Sequence, residues 1–218
     1  MKNENKISVI LPALKEPYLP ILLAQLYAIL DPYDYEILVI RSDKEKNFIK
    51  PTQDPHVRIY KSYGDSLERS ILLGFSVAEG DKLIVMDADG SHPPKLIPQI
   101  IEKLNKYDLV IASRFIKEGE YKAPLSRQII TWFFTKLAHY LGYELSDPMS
   151  GFFGVRKSLI NKICFKPFKW KIALEIFYRG EPKTAEIPFT FEYRKKGKSK
   201  TNLKVGLKIL WDMVIMRI

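Results

Sequence analysis

The chain has 218 residues, 46% of them hydrophobic, and a net charge of +10, which suits one domain of generous size, alone or with a short appendage, and an anionic partner. A single cysteine, Cys164, excludes an intrachain disulfide and reads as a packing residue rather than a nucleophile. No run of about 18 apolar residues occurs, so no spanning helix is expected; the opening MKNENKISVI lacks the apolar core and cleavage site of a secretory leader.

Along the chain the apolar periodicity alternates between strand and helix. ISVIL (7–11) predicts a short buried strand, and EPYLPILLAQLYAIL (16–30) a helix with Pro17 in its first turn. EILVI (36–40) and VRIY (57–60) predict two more strands, and SLERSILLGFSVAEG (66–80) a helix closed by Gly80. KLIVMD (82–87) predicts a fourth strand, PKLIPQIIEKLNK (94–106) a helix and DLVIAS (108–113) a fifth strand. Strands apolar on both faces, alternating with helices, imply a mostly parallel α/β sheet with helices on both faces. PLSRQIITWFFTKLAHYLG (124–142) predicts a long, strongly apolar helix, FFGVRK (152–157) and AEIPFTFEY (185–193) strands, and TNLKVGLKILWDMVIMRI (201–218) a closing helix. The polar stretches 41–56 and 114–124 are long enough to act as lids.

The chemistry starts at LIVMDADGSHPP (83–94), where a buried strand ends in Asp87 and Asp89. Ligands of open α/β sheets bind beyond the carboxyl ends of the strands. Hard divalent cations such as Mg²⁺ or Mn²⁺ take carboxylate oxygens together with substrate phosphates. Two aspartates in a loop are commonly solvated turn residues. Here a strand enters, a Gly-Ser-His-Pro-Pro turn leaves and a helix follows, which favours a metal–diphosphate site. His92 reads as a residue that shapes the turn.

SRF (113–115), SDPMSGFFGVRK (146–157) and EIPFTFEYRKKGKSK (186–200) follow in order. Together with VMDADGSHPP they resemble the dolichol-phosphate mannosyltransferase group of family 2 glycosyltransferases, from about Ile7 to Lys200. The resemblance implies a GT-A fold, catalytic domain 1–200, and metal-dependent inverting transfer of a hexose. The donor would be a nucleotide sugar, GDP-mannose or UDP-glucose, and the acceptor a dolichyl or polyprenyl phosphate. It implies that Asp87 and Asp89 hold the metal against the donor diphosphate. Arg114 and Arg127 match the acceptor-phosphate arginines, and Thr131, one turn after Arg127, could add a hydrogen bond. Arg194 and Lys200 match a basic loop that closes over the phosphates. Asp89, Arg114, Arg127 and Arg194 are therefore the expected catalytic set. Pro12, Glu16, Asp43, Asp87, Ser91 and Lys200 are the expected donor contacts.

The departures fall on the nucleoside side. PALKE keeps Pro12 and Glu16 but has Lys15 where the family has asparagine. LVIRSD places Arg41 and Ser42 where acids are usual and leaves Asp43, and Ser91 stands in place of a glutamine. These changes put GDP-mannose in question more than glycosyl transfer. They also leave a non-catalytic nucleotide-sugar or phosphate-binding homologue as the alternative.

The closing helix, 201–218, sets Leu203, Leu207, Leu210, Trp211, Val214 and Ile218 on one face and Lys204 and Lys208 on the other. A basic amphipathic helix bearing a tryptophan suits the membrane surface, and a homodimer contact is its alternative use. The expected location is cytoplasmic, peripheral on the cytoplasmic face of the membrane. Nucleic acid is not expected as a partner, because Asp87 and Asp89 would sit in the binding cleft and no recognised nucleic-acid motif is present.

Overall fold

Alternate residues of the first strand point to opposite faces of a sheet, and each face has its own core. Ile7, Val9 and Leu11 of β1 (Ile7–Ala13) pack with α1 (Leu19–Leu30) and α3 (Ile97–Lys103), whereas Ile10 packs with α2 (Leu67–Val77) on the other side. The computed structural model describes residues 6–13, 16–44, 52–64, 66–165 and 172–191. The predicted helix 201–218 and the basic loop bearing Arg194 and Lys200 lie outside the described residues.

The main sheet adds β2 (Tyr35–Ser42), β3 (Val57–Ser62), β4 (Lys82–Val85), β5 (Leu109–Ser113), β7 (Phe153–Arg156) and β8 (Thr184–Pro188) to β1. Its order is β3-β2-β1-β4-β7-β5-β8. All neighbours are parallel except β7, which runs antiparallel between β4 and β5. β6 (Glu120–Tyr121) and β9 (Thr190–Phe191) form a small second sheet. On the α2 face lie α4 (Leu125–Tyr140), α5 (Lys157–Ile160) and α6 (Ile172–Gly180). The expected α/β class, mostly parallel sheet and helices on both faces are all present.

Where boundaries differ from the periodicity, the backbone gives the reason. Proline has no N–H and is accommodated only in a helix's first turn. Pro20 therefore delays α1 to Leu19, and Pro98 delays α3 to Ile97 behind a 3-10 turn at Pro94–Leu96. The α2 helix ends at Val77, short of Gly80, because the next backbone donors are taken from below: Glu79 N–H by Glu36 (2.6 Å) and Gly80 N–H by Ser8 (2.9 Å). The single strand expected over 185–193 breaks at Phe189. Its N–H bonds Ser113 in the main sheet while its carbonyl accepts from Glu120 in the small one. Gly154 of β7 is required for packing, since a Cβ there would lie 2.2 Å from Ile100 of α3.

Beneath the sheet, Arg58 donates to both carboxylate oxygens of Glu79, and Lys6 donates at 2.7 Å. These bonds, Arg58 first, lower the Glu79 pKa to about 2. The unfolded value is about 4.3, so this pairing contributes fully above that pH and is lost as the pH falls toward 2. Glu79→Gln is expected to flatten the acid limb of a urea-unfolding stability profile in that window. An acid limb identical to that of the parent protein would contradict the pairing.

Candidate active site

Every parallel strand delivers its carboxyl end to one edge of the sheet. Because β7 runs the other way, the turn that enters it, 147–152, arrives at that same edge. The edge therefore gathers Pro12 at the end of β1, Asp43 after β2, Asp87–His92 after β4, Arg114 after β5 and the Asp-Pro-Met-Ser-Gly turn.

The Asp87–Ser91 turn is internally braced. Asp89 is 2% exposed, and its Oδ1 accepts from the Ser91 N–H (2.9 Å) and hydroxyl (2.6 Å). Gly90 follows at φ +81°, and a Cβ there would collide with the Tyr18 ring at 2.7 Å, so only glycine fits. His92 stacks on Phe152, and its Nδ1 accepts the Asp87 N–H at 2.9 Å. That bond leaves the neutral ring's proton on Nε2, which lies 4.0 Å from Asp87 Oδ2. The ring thus supports the turn, and the Asp87 carboxylate, 35% exposed, opens to solvent.

The donor set of this turn is two carboxylates and a serine hydroxyl, all hard oxygens, as Mg²⁺ and Mn²⁺ require. Among the described residues no cluster of three or more His, Cys, Asp or Glu could hold a metal by itself. A pair of carboxylates completed by diphosphate oxygens and water fits such ions. On the other side of the turn, a Cβ added at Gly151 would lie 3.9 Å from Asp87 Oδ2 and 3.6 Å from His92, so the Asp-Pro-Met-Ser-Gly turn comes within van der Waals reach of Asp87.

Arg114 does not face solvent. It is 8% exposed and forks onto Asp147, with Nε–Oδ2 and NH2–Oδ1 both at 2.6 Å, while its backbone N–H also donates to Asp147 (3.1 Å). Phe115, Tyr121 and Phe191 surround the guanidinium at 4.6–5.8 Å. Burial disfavours the charged form, but the Asp147 charge and hydrogen bonds outweigh it, and the pKa is raised. Asp147 is itself 1% exposed. Its carboxylate takes two of the guanidinium's five N–H donors, and stripping one partner from such a buried pair costs roughly 3–5 kcal/mol.

The remaining expected residues are distributed as follows. Arg127 sits in the first turn of α4, half-buried, and its N–H bonds Pro124 (2.9 Å). The Thr131 hydroxyl donates to Tyr121 (3.3 Å), the same ring that covers Arg114. Asp43 is exposed, and its Oδ1 accepts the Gly64 N–H (2.8 Å), tying the loop after β2 to the loop after β3. Ser42 accepts from Lys44 N–H at 3.2 Å, and Arg41 pairs in register with Ala13 at the end of β1. Pro12 is buried in β1, and Glu16 is half-buried just before α1.

Two residues that sequence reasoning did not assign belong to the site. Asp147 lay in plain view in SDPMSGFF. Glu186 of β8 accepts from Ser146 N–H (3.1 Å) and Asp147 N–H (3.2 Å). The other unexpected feature is the outer face of α4. Leu125, Ile129, Trp132, Phe133 and Tyr140 recur at helical spacing and are 52–86% exposed. The inner face buries Phe134, Thr135 and Ala138, so the helix has large apolar residues on both its inner and outer faces, and it carries no acid.

The model of glycosyl transferase family 2 matches residues 8–164. Dolichol-phosphate mannosyltransferase of Pyrococcus furiosus is 34% identical, the match covering 94% of this chain and 62% of that protein. The enzyme of the same name from Saccharomyces cerevisiae is 33% identical over 67% of this chain and 59% of its own length. The chain thus spans about three fifths of the length of these curated relatives. Among solved structures, glucosyl-3-phosphoglycerate synthase from Mycobacterium tuberculosis, in complex with Mn²⁺, UDP-glucose and phosphoglyceric acid, superimposes with a TM-score of 0.72. It is 18% identical, covering 99% of this chain and 80% of that one, so it supports the GT-A fold alone.

Proposed function

The chain belongs to glycosyl transferase family 2, and from that membership we propose that it transfers a hexose from a nucleotide sugar to a polyprenyl or dolichyl phosphate. The transfer inverts the anomeric carbon, the sugar is mannose or glucose, and residues 1–200 form the catalytic domain. The observation that carries this reading is the pairing of the Asp87–Ser91 turn with the Asp-Pro-Met-Ser-Gly turn through Gly151 at the carboxyl edge of the sheet. The named activity of two relatives more than 30% identical supports it.

The residues perform the reaction by charge. The lipid phosphate is largely dianionic near neutral pH, its second pKa being about 6, so its oxygen can attack the anomeric carbon without losing a proton. The new C–O bond forms as the bond to the diphosphate breaks, and the nucleoside diphosphate leaves with the electron pair. Asp87 and Asp89 would hold the divalent cation, which on binding neutralises charge on the leaving diphosphate. Arg114 and Arg127 meet the acceptor phosphate, guanidinium N–H pairs being suited to two oxygens, and the Thr131 hydroxyl can add a hydrogen bond. Arg194 and Lys200 act on the donor phosphates. Pro12, Glu16, Asp43 and Ser91 border the donor.

Arg41 and Ser42 replace acids at the loop that reads the nucleoside, so donor selectivity is the property to test first. Thermal shift with Mn²⁺ and a panel including GDP-mannose and UDP-glucose is expected to show stabilisation by at least one donor. No response to any nucleotide sugar would contradict donor binding. Donor binding without transfer would favour the non-catalytic reading.

The chain acts at a membrane surface, peripheral on the cytoplasmic face. No helix among the described residues is long and apolar enough to cross a membrane. The exposed aromatic stripe of α4, with Arg127 and Lys136 and no acid, has the composition of a helix lying in the interface. The sequence of 201–218 gives a second basic amphipathic contact. Each lysine near an anionic surface contributes about 1 kcal/mol. Vesicles with anionic lipid are expected to bind the protein more strongly than neutral ones. Ile129→Asp with Trp132→Asp, or Lys204→Glu with Lys208→Glu, is expected to weaken binding. Equal binding to both vesicle types would contradict the electrostatic part. A lipid-independent dimer lost on Trp132→Asp would instead assign the stripe to a second copy.

A further inference from the structure

Two of the three groups assigned to the acceptor phosphate touch one further side chain. The Tyr121 ring lies 4.6 Å from the Arg114 guanidinium carbon, nearer than Phe115 (5.2 Å) or Phe191 (5.8 Å). Its hydroxyl lies 3.3 Å from that of Thr131, in the second turn of α4. The backbone of Tyr121 is set by β6, which pairs with Phe191 of β9, and its ring meets Phe115 and Phe191 edge to face.

Proton supply decides what this residue can do. A hydroxyl has one proton to donate and two lone pairs with which to accept. Thr131 gives its proton to Tyr121. While that bond stands, the pair reaches a phosphate only through the phenol. Among the described residues no acceptor takes the phenol proton. At 3.3 Å the Thr131 bond is long for two hydroxyls, so it holds the phenol only loosely in place. A phenol keeps its proton at neutral pH, its ordinary pKa being about 10. Asp147 takes two of the five Arg114 N–H donors, so the guanidinium beside the ring still has donors for a phosphate.

We propose that Tyr121 is a further acceptor-binding residue, a role that rests on the transferase reading above. Its O–H donates to the acceptor phosphate, between the Arg114 guanidinium and the α4 turns that bear Arg127 and Thr131. Thr131 strengthens the phenol as a donor, because hydrogen bonds in a chain polarise one another. The ring holds the guanidinium by cation–π attraction. Hydroxyl and ring thus have separable roles.

Tyr121→Phe removes the proton and keeps the ring. One hydrogen bond to a charged group corresponds to about tenfold to a hundredfold. The acceptor KM is expected to rise by about that factor, as is the Kd for farnesyl phosphate measured by calorimetry, a readout independent of turnover. Nucleotide-sugar affinity and the melting temperature should match the parent. Tyr121→Leu, which also loses the ring, should weaken farnesyl phosphate further. Thr131→Val keeps the phenol proton and should cost less than Tyr121→Phe. The reverse order would make Thr131 the direct contact and overturn the proposal. So would a Tyr121→Phe protein with parent acceptor KM and Kd, or one whose only change is a lower melting temperature. A parent that neither binds farnesyl phosphate nor forms a lipid-linked sugar would defeat the transferase reading and, with it, this role.

Discussion

Asp89→Asn is expected to lower transfer at least about a hundredfold, equivalent to about 2.7 kcal/mol at 1.36 kcal/mol per decade. The substitution removes one negative charge from the metal-binding turn but can leave the turn itself standing. An asparagine Oδ1 can still accept from the Ser91 N–H and hydroxyl, as Asp89 Oδ1 does now. The melting temperature should therefore stay close to that of the parent protein while donor affinity in Mn²⁺ falls. Asp87→Asn should cost less, since its carboxylate is 35% exposed and water can take over part of the coordination of such ions. Full transfer by Asp89→Asn, or by the parent in excess chelator, would contradict the metal role of this turn.

Arg127→Ala is expected to lower transfer by about tenfold to a hundredfold, through the acceptor alone. Hydrogen bonds to a charged group contribute roughly 1.5–3 kcal/mol, about one to two decades of rate. Nucleotide-sugar affinity measured by calorimetry should be unchanged, and the polyprenyl-phosphate KM should rise. Lysine should restore only part, because it supplies the charge without the planar fork. Arg114→Ala should behave differently. It strands the buried Asp147 and should destabilise the fold by roughly 3–5 kcal/mol, visible in the unfolding midpoint before any kinetics are measured. If Arg127→Ala loses donor binding and keeps its acceptor KM, the helix turn that bears it belongs to the donor side.

The parts of the fold legible in the sequence are those with a strong period. β1, β2, β4 and β5 are apolar on both faces because helices cover both sides of the sheet, and that continuity marks them. The two-residue strands β6 and β9 carry too few residues for any period. α6, nine residues long, is too short for its periodicity to stand out, although Ile172, Ala173, Leu174 and Ile176 are buried. The late starts of α1 and α3 could have been read from Pro20 and Pro98, each of which forces the first turn to its own position.

In the site, the Asp87–Ser91 turn was legible because its chemistry is local in sequence. The Arg114–Asp147 pair was not. Its partners stand 33 residues apart, and only the antiparallel course of β7 brings them together. An arginine beside a motif looks alike in sequence whether it faces a phosphate or a buried carboxylate. The outer face of α4 was visible as excess apolarity in 124–142, but periodicity does not show which side the domain leaves bare.

The central claim is sugar transfer to a lipid phosphate. The direct measurement incubates the protein with Mn²⁺, a nucleotide sugar and a polyprenyl phosphate, and follows lipid-linked hexose by mass spectrometry with its anomeric configuration determined. The expected product is a polyprenyl-phosphate hexose of inverted configuration, formed in step with release of nucleoside diphosphate and at least about a hundredfold slower in Asp89→Asn. Release of nucleoside diphosphate with free sugar and no lipid product, or a lipid product of retained configuration, would contradict it.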